Sequence, residues 1–368
     1  MTHPRYTELV AGLPATVPFV GPEAQQRTSG RTFRARLGAN ESVFGPSPKA
    51  VQAMADAAAE AWMYGDSENH DLRAALAAHH GVAPENIIVG EGIDGLLGNL
   101  VRLVVAPGDP VVTSAGAYPT FNYHVLGHGG RLVPVPFRGD HEDPEALLTA
   151  APGAKLLYLS NPDNPMASWH PGATIAAMLD RLPEGCLMVL DEAYADFAPA
   201  DAIPDIAPDD PRVIRMRTFS KAHGLAGARV GYAIAAPDLV AAFDKIRNHF
   251  GMTRMSQAGA LAALQDREWL AQVVAQVAEG RTRLGQIAAD NGLNALPSAT
   301  NFVAIECGRD GDFARAVLQA LIARDVFVRM PGVAPLDRCI RVSVGRPQDL
   351  DVFAEVLPQA LEAALTNR

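Results

Sequence analysis

Between residues 86 and 235, short apolar runs rich in β-branched residues alternate with stretches of helical periodicity, and this alternation constrains the chain more than any other feature. A parallel strand is buried on both faces, so it reads as a nearly continuous apolar run, and reaching the next parallel strand takes a crossover that a helix supplies. The pattern predicts an α/β fold with one large, mostly parallel sheet covered by helices. Seven runs qualify: IIVG from Ile87, VVTS from Val111, RLVPV from Arg131, KLLYLS from Lys155, LMVL from Leu187, VIRMRTF from Val213 and RVGYAIA from Arg229. After Pro237 the pattern turns helical over about residues 238–290. A smaller α/β unit follows, with strands NFVAIE from Asn301, VFVRM from Val326 and CIRVSV from Cys339, and an amphipathic helix over 313–323.

At 368 residues and 48% apolar content the chain can fill one large domain and a smaller one. Its net charge of -10 comes with no basic run, which argues against a nucleic-acid partner and leaves small-molecule chemistry. Residues 1–20 are interrupted by charges and by Pro4, Pro14 and Pro18, so neither a signal peptide nor a membrane span is expected, and the cytoplasm is the expected location. Cys186, Cys307 and Cys339 are widely spaced, which fits packing residues rather than disulfides or a zinc site.

Four local motifs suggest other chemistry. Gly90-Glu91-Gly92-Ile93-Asp94-Gly95 spells G-x-G-x-x-G between a strand and a helix, yet the next strand ends Thr113-Ser114-Ala115-Gly116-Ala117 without the acid that would hold a dinucleotide ribose. What survives is an anion site at a helix N-terminus. Leu187 to Glu192 resembles a magnesium-binding strand of ATPases, but no phosphate-binding G-x-x-x-x-G-K-[ST] accompanies it. His79-His80 and His141-Glu142-Asp143 match no ligand spacing and read as solvated polar residues, so no metal is expected.

Lysine is scarce: Lys49, Lys155, Lys221 and Lys245 stand against 27 arginines. Lys49, Lys155 and Lys245 fit solvated positions. Lys221 follows the strand ending Arg217-Thr218-Phe219-Ser220 and precedes a small-residue turn, at a sheet end where α/β proteins bind ligands. Amine chemistry needs a group whose pKa can be lowered, which arginine is not. Thr218, Ser220 and Arg229 around it suit a phosphate dianion. Asp191 can pair with a protonated ring nitrogen, and Tyr194 and Asn164 can bond a ring oxygen. Together these residues match the parts of a pyridoxal phosphate site.

The ordered set NPDNP from Asn161, DEAYADF from Asp191, TFSKAHGLAGARVGY from Thr218 and RVSVG from Arg341 resembles the class I/II aminotransferases. With ANESVFGPS from Ala39 it is most similar to their histidinol-phosphate aminotransferase branch, over about residues 37–350. The resemblance implies a fold-type I transferase: a seven-stranded α/β/α sandwich with a smaller C-terminal α/β domain. The domains would be an N-terminal segment (1–45) packing on the small domain, a large cofactor-binding domain (46–255) and the small domain (256–368). It also implies that Lys221 carries pyridoxal 5'-phosphate covalently, that Asp191 holds its ring nitrogen, and that Tyr194 and Asn164 contact its phenolic oxygen. Gly92, Ile93, Asp94, Thr218, Ser220 and Arg229 would hold the phosphate, and Tyr118 would stack on the ring. Arg341 would take the substrate carboxylate or phosphate, with Arg329 as a second anion-binding group and Asn40 also at the substrate. Tyr64 would reach the phosphate across the interface of a homodimer with shared sites. The implied reaction moves an amino group from a small-molecule donor to a 2-oxo acid such as 2-oxoglutarate, with Lys221 shuttling the proton.

The chain departs from the family where it reads NPDNPMAS for the usual NPNNPTG, GEGIDG in the phosphate loop, and ANESVFGP for ANENPYGP. These segments lie near the site mouth and bear on the substrate. Other amino-acid aminotransferases and threonine-phosphate decarboxylase share the motifs. A non-catalytic regulator is disfavoured, because no room for a DNA-binding module is evident and the lysine is present.

Overall fold

The computed structural model describes residues 5–15 and 19–366. Part of the 1–20 segment, on which the absence of a leader was read, lies outside the described residues.

The strands are β1 (Ala35–Arg36), β2 (Ile87–Gly90), β3 (Pro110–Ser114), β4 (Arg131–Val135), β5 (Leu156–Ser160), β6 (Leu187–Asp191), β7 (Val213–Thr218), β8 (Gly231–Ala235), β9 (Asn294–Ala295), β10 (Phe302–Glu306), β11 (Val326–Phe327) and β12 (Cys339–Ser343). Seven of them form the large sheet in the order β2-β8-β7-β6-β5-β3-β4, with β8 antiparallel to both neighbours and the remaining pairings parallel. All seven runs read from the sequence are in it. Alternate residues of β5 explain why the run is apolar throughout. Leu156 and Tyr158 pack into one core with Leu97, Phe121 and Phe243, while Leu157 and Leu159 pack into another with Leu147, Ile175 and Met188 on the opposite face.

The chain order reverses between β3 and β5, since β4 lies outward of β3 and β5 on its other side. Such a switch point opens a crevice at the C-terminal strand ends. The two strands pair only at Val111↔Leu156 and Val112↔Leu157, whereas β5 and β6 stay paired from Leu156↔Leu187 to Ser160↔Asp191.

In the C-terminal unit β10 pairs antiparallel with β12 and β9, and the helices Arg267–Asp290, Gly311–Ile322 and Pro347–Thr366 pack with them. Contrary to the expectation from sequence, the VFVRM run does not form one strand of this sheet. It changes partner: Val326 and Phe327 pair in parallel with β1, and Arg329 then bridges to Arg341 on β12. The helical region of 238–290 is three helices, Pro237–Phe243, Arg254–Gln265 and Arg267–Asp290, the second starting where the Thr253 side chain caps Ser256 N–H. That second helix packs on the helices Pro48–Ala58 and His70–His80. The three cysteines are buried and free. Among the described residues no helix is long and apolar enough to cross a membrane.

Candidate active site

The ends of β2, β3, β5, β6 and β7 deliver the polar residues read from sequence to one crevice. Asp191 is the last residue of β6 and Thr218 the last of β7, and Lys221 follows in the turn after β7. That turn lies close to the N-terminal segment: Gly224 has φ 69°, and a Cβ there would come within 2.3 Å of the Gly45 carbonyl oxygen. Lys221 Nζ donates to the Asn40 carbonyl at 3.2 Å and stands 5.6 Å from the Tyr194 ring centroid. Burial, then Arg341 and Arg229, push the Lys221 amine down to about 8 against the opposing pull of Glu41 and Asp191. A sizeable share of it is therefore neutral near physiological pH.

Asp191 accepts a 2.6 Å hydrogen bond from the Tyr158 hydroxyl and a 2.9 Å bond from Ala193 N–H. Burial raises its pKa, while those bonds and Lys221 act the other way. A cation arriving in the crevice would favour its ionised form. Tyr194 is buried with its ring edge against Phe302, at 5.4 Å between centroids, and its phenol is pushed up by burial. Its oxygen accepts from Asn40 Nδ2 at 3.0 Å, which leaves its own proton to donate.

Arg341, on β12, reaches across to donate to Asn164 Oδ1 and, at 3.4 Å, to the Gly38 carbonyl. Its Nε is buried without a partner, and burial, with Arg329 adding repulsion, lowers its guanidinium to about 10. Arg329 is tied to it by backbone bonds of 2.6 and 3.2 Å. The Arg329 guanidinium lies 4.6 Å from the Phe19 ring centroid and donates to the Val20 carbonyl at 3.4 Å. Asn40 is 2% exposed with φ 54° and is a hub: its side chain holds Tyr194 and the Ser343 hydroxyl, and its carbonyl takes Lys221 and, at 3.0 Å, Asn301.

At the other end of the crevice Gly92 and Ile93 open the helix Gly92–Val104, whose first N–H groups have no partner within the helix. Gly92 has φ 79°, and a Cβ there would lie 2.5 Å from Arg229 Nη2, so only glycine lets the arginine approach this helix end. Arg229 itself sits at φ 56°. The Thr218 hydroxyl donates to Ser220 Oγ at 2.9 Å and accepts from Ser220 N–H at 3.0 Å. Helix N-terminus, hydroxyl pair and guanidinium together form a dianion cradle. The Asp94 carboxylate is turned to His124 Nε2 at 3.0 Å, which leaves its backbone for an anion. Tyr118 precedes the helix Pro119–Gly127, and burial raises its phenol pKa. Tyr64 does not join the cluster within one chain: it is 77% exposed, with its ring 4.8 Å from that of Phe250.

Some groups here were not singled out from sequence. Tyr158, Ser343 and Asn301 were missed, and the one available signal was a tyrosine in the otherwise apolar β5. Of His141-Glu142-Asp143, read from sequence as solvated, only His141 is exposed. Glu142 is 1% exposed, bonded to Ser114 and Ser160, and Asp143 caps the helix Pro144–Ala150. His80 is likewise half-buried against the Tyr232 hydroxyl at 2.9 Å, and burial lowers its imidazole to about 3. Glu192 holds Arg215 and Arg217, each at 2.8 Å, a structural pairing rather than a metal site. Among the described residues no group of three or more His, Cys, Asp or Glu is placed to hold a metal.

Residues 35–357 match the family model described as aminotransferase class I and II. The histidinol-phosphate aminotransferase of Moorella thermoacetica is 32% identical over 98% of this chain and 94% of its own length. Histidinol-phosphate aminotransferase 1 of Mesorhizobium japonicum is 37% identical over 89% and 90%. Among solved structures, the histidinol-phosphate aminotransferase of Sinorhizobium meliloti in complex with pyridoxal-5'-phosphate superposes with a TM-score of 0.95 at 55% identity, covering 98% of both chains. A Thermus thermophilus aspartate aminotransferase variant shares the fold at 22% identity, with a TM-score of 0.82 over 98% of this chain and 100% of its own. The chain belongs to the class I and II aminotransferases and is a pyridoxal-phosphate-dependent enzyme of that family.

Proposed function

We propose that the amino donor is histidinol phosphate, the acceptor a 2-oxo acid such as 2-oxoglutarate, and Lys221 the residue that carries the cofactor. The observation that carries the reading is the opposition of two charged ends across one lysine: the glycine-opened cradle at Gly92 with Arg229, and Arg341 with a buried, unpartnered Nε. Relatives of closely matching length bear the histidinol-phosphate name.

The residues present fit pyridoxal phosphate. The helix end at Gly92, with the Arg229 guanidinium drawn against it, suits its phosphate, which the N–H groups of Gly92, Ile93 and Asp94 would receive with Thr218, Ser220 and Arg229. Asp191 would hold the ring nitrogen, Tyr194 and Asn164 would donate toward the phenolic oxygen, and Tyr118 would cover the ring. Bound pyridoxal phosphate supplies an electron sink for charge developing at the substrate Cα. The Lys221 amine would take the proton from the substrate Cα and hold it for return, a role its lowered pKa suits. Arg341 presents a planar fork to a carboxylate or phosphate, and Arg329 and Asn40 adjoin it.

The proposal extends to a cytoplasmic homodimer in which Tyr64 of the partner subunit completes each cradle. An N-terminal segment to residue 45, a large unit and a small C-terminal unit are part of it, the first supported by the pairing of β1 with β11, and the boundary expected at 255 is moved to beyond residue 265. The helix Arg254–Gln265 packs on the large unit, which favours a hinge just beyond it.

A panel of amino donors assayed with 2-oxoglutarate tests the substrate. Histidinol phosphate should give the highest kcat/KM. A faster aromatic or other amino acid, or carbon dioxide release from threonine phosphate, overturns it.

A further inference from the structure

Where β3 and β5 part, one buried side chain that the reaction does not otherwise use closes the fork. Beyond the Val112↔Leu157 pair the strands diverge, and Glu142, from the turn before the helix Pro144–Ala150, bridges them. Its Oε1 accepts from Ser160 N–H at 3.0 Å and its Oε2 shares a 2.5 Å bond with the Ser114 hydroxyl, while its carbonyl accepts from His170 Nε2 at 2.8 Å. The chain of contacts continues from there. The Ser160 hydroxyl donates to the Tyr158 oxygen at 3.4 Å, Tyr158 donates to Asp191 Oδ2 at 2.6 Å, and Asn161 N–H donates to the Asp191 carbonyl at 2.9 Å. Tyr158 of β5 therefore holds the Asp191 side chain and Asn161, just beyond the strand, its backbone, while Glu142 holds Ser160 between them.

We propose that Glu142 is a positioning residue for Asp191, clamping the open ends of β3 and β5 so that Tyr158 and Asp191 keep the orientation that the cofactor's ring nitrogen requires. The inference rests on the reading of Asp191 given above. The clamp is insensitive to its own charge. Burial, with the Asp191 charge adding to it, pushes Glu142 up to about 7, and a protonated Oε2 can donate to Ser114 where an ionised one accepts. Asp163 and Tyr158 are pushed upward by burial and further by the Glu142 charge, while burial lowers His170, whose bond to the Glu142 carbonyl acts the other way.

The test compares Glu142→Ala, Glu142→Gln and Asp191→Asn as holoenzymes by the pH midpoint of the bound cofactor's visible absorption and by separate kcat and KM. A ring that loses its well-placed acid carries less positive charge, so the lysine nitrogen joined to the cofactor keeps its proton to higher pH. Glu142→Ala should move the midpoint upward, in the same direction as Asp191→Asn but less far. It should lower kcat about five- to tenfold, the worth of about one hydrogen bond, with KM for the donor unchanged. Glu142→Gln, whose amide can accept from Ser160 and donate to Ser114, should restore both. A wild-type midpoint and kcat in Glu142→Ala, or a glutamine variant no better than alanine, overturns the inference. Should Glu142→Ala not fold, Ser114→Ala removes one arm of the clamp and must shift the midpoint the same way. An unmoved midpoint in Asp191→Asn sinks the Asp191 reading and this inference with it, whereas a moved one beside an unmoved Glu142→Ala sinks this inference alone.

Discussion

Lys221, Asp191 and Thr218 hang from the ends of β6 and β7, two strands in register from Met188↔Val213 to Asp191↔Met216, whereas Asn40, Arg329 and Arg341 reach the crevice from opposite ends of the chain. Ladder bonds and buried faces set the first group. A few polar contacts set the second: Asn40 to Ser343 across 303 residues, and Arg341 to Asn164 across 177. The floor is thus assembled by the sheet whatever occupies it. At the mouth Arg341 rests on Asn164 and Arg329 on the Phe19–Val20 segment, contacts that a bound anion can replace. Floor substitutions should damage chemistry, and mouth substitutions should damage binding.

The largest effect is expected at Lys221. Lys221→Ala should lose more than about 10⁴-fold in turnover, because one change removes both the cofactor attachment and the proton carrier. Borohydride reduction and peptide mapping of the wild type should place the adduct on Lys221, and an adduct on Lys155 or Lys245 would move the floor elsewhere. Since the amine pKa is lowered to about 8, its reactive neutral form grows as pH rises through 8 and levels off about a unit above it. Capture of cofactor by the apoenzyme, followed by absorbance, should accelerate with pH in that sense. A pH-independent rate would contradict the lowered value.

Next comes Asp191→Asn. The amide keeps the shape but no longer favours a protonated ring nitrogen, and kcat should fall about 10²–10³-fold, the scale of one lost electrostatic group at a reacting centre. Cofactor should remain bound in the visible spectrum. Turnover near the wild-type rate would remove the electron-sink role from the floor.

At the mouth, Arg341→Gln should lower kcat/KM about ten- to hundredfold, as expected for a charged hydrogen-bond donor, mainly through KM and for donor and acceptor alike. Arg341→Lys should recover little, because a point charge does not replace a planar fork. A kcat-only loss would erase the distinction between floor and mouth.

How far each region was legible follows from how it is built. The β5 and β6 runs announce themselves because both faces are buried, and Lys221 stands out because the chain otherwise takes its positive charge from arginine. Asn40 is marked only by the family resemblance, Tyr158 only by being a tyrosine within β5, and Glu142 by nothing. The polar neighbours of Glu142 suggest a loop, and only the parting of β3 and β5, a property of sheet order, explains its burial. The VFVRM run was misjudged for a related reason: its composition favours a strand, but composition does not encode a change of partner after Phe327.

The smallest predicted effect concerns Tyr64, which belongs to neither region within one chain. Its ring lies 4.8 Å from that of Phe250, and the two are 77% and 54% exposed, the kind of apolar surface that a subunit interface covers. If Tyr64 of the partner subunit donates to the cofactor phosphate, Tyr64→Phe should cost roughly the 0.5–1.5 kcal/mol of one hydrogen bond, seen as a few-fold weaker hold on the cofactor. Mixing separates this from a surface role. In a heterodimer of Lys221→Ala and Tyr64→Phe chains, one site receives both defects and the other neither. At limiting cofactor, activity per Tyr64→Phe chain should therefore rise above that of the Tyr64→Phe homodimer. If the subunits demonstrably exchange and that activity stays flat, or if the enzyme proves fully active as a monomer, then Tyr64 lies outside the site and each crevice is complete within its own chain.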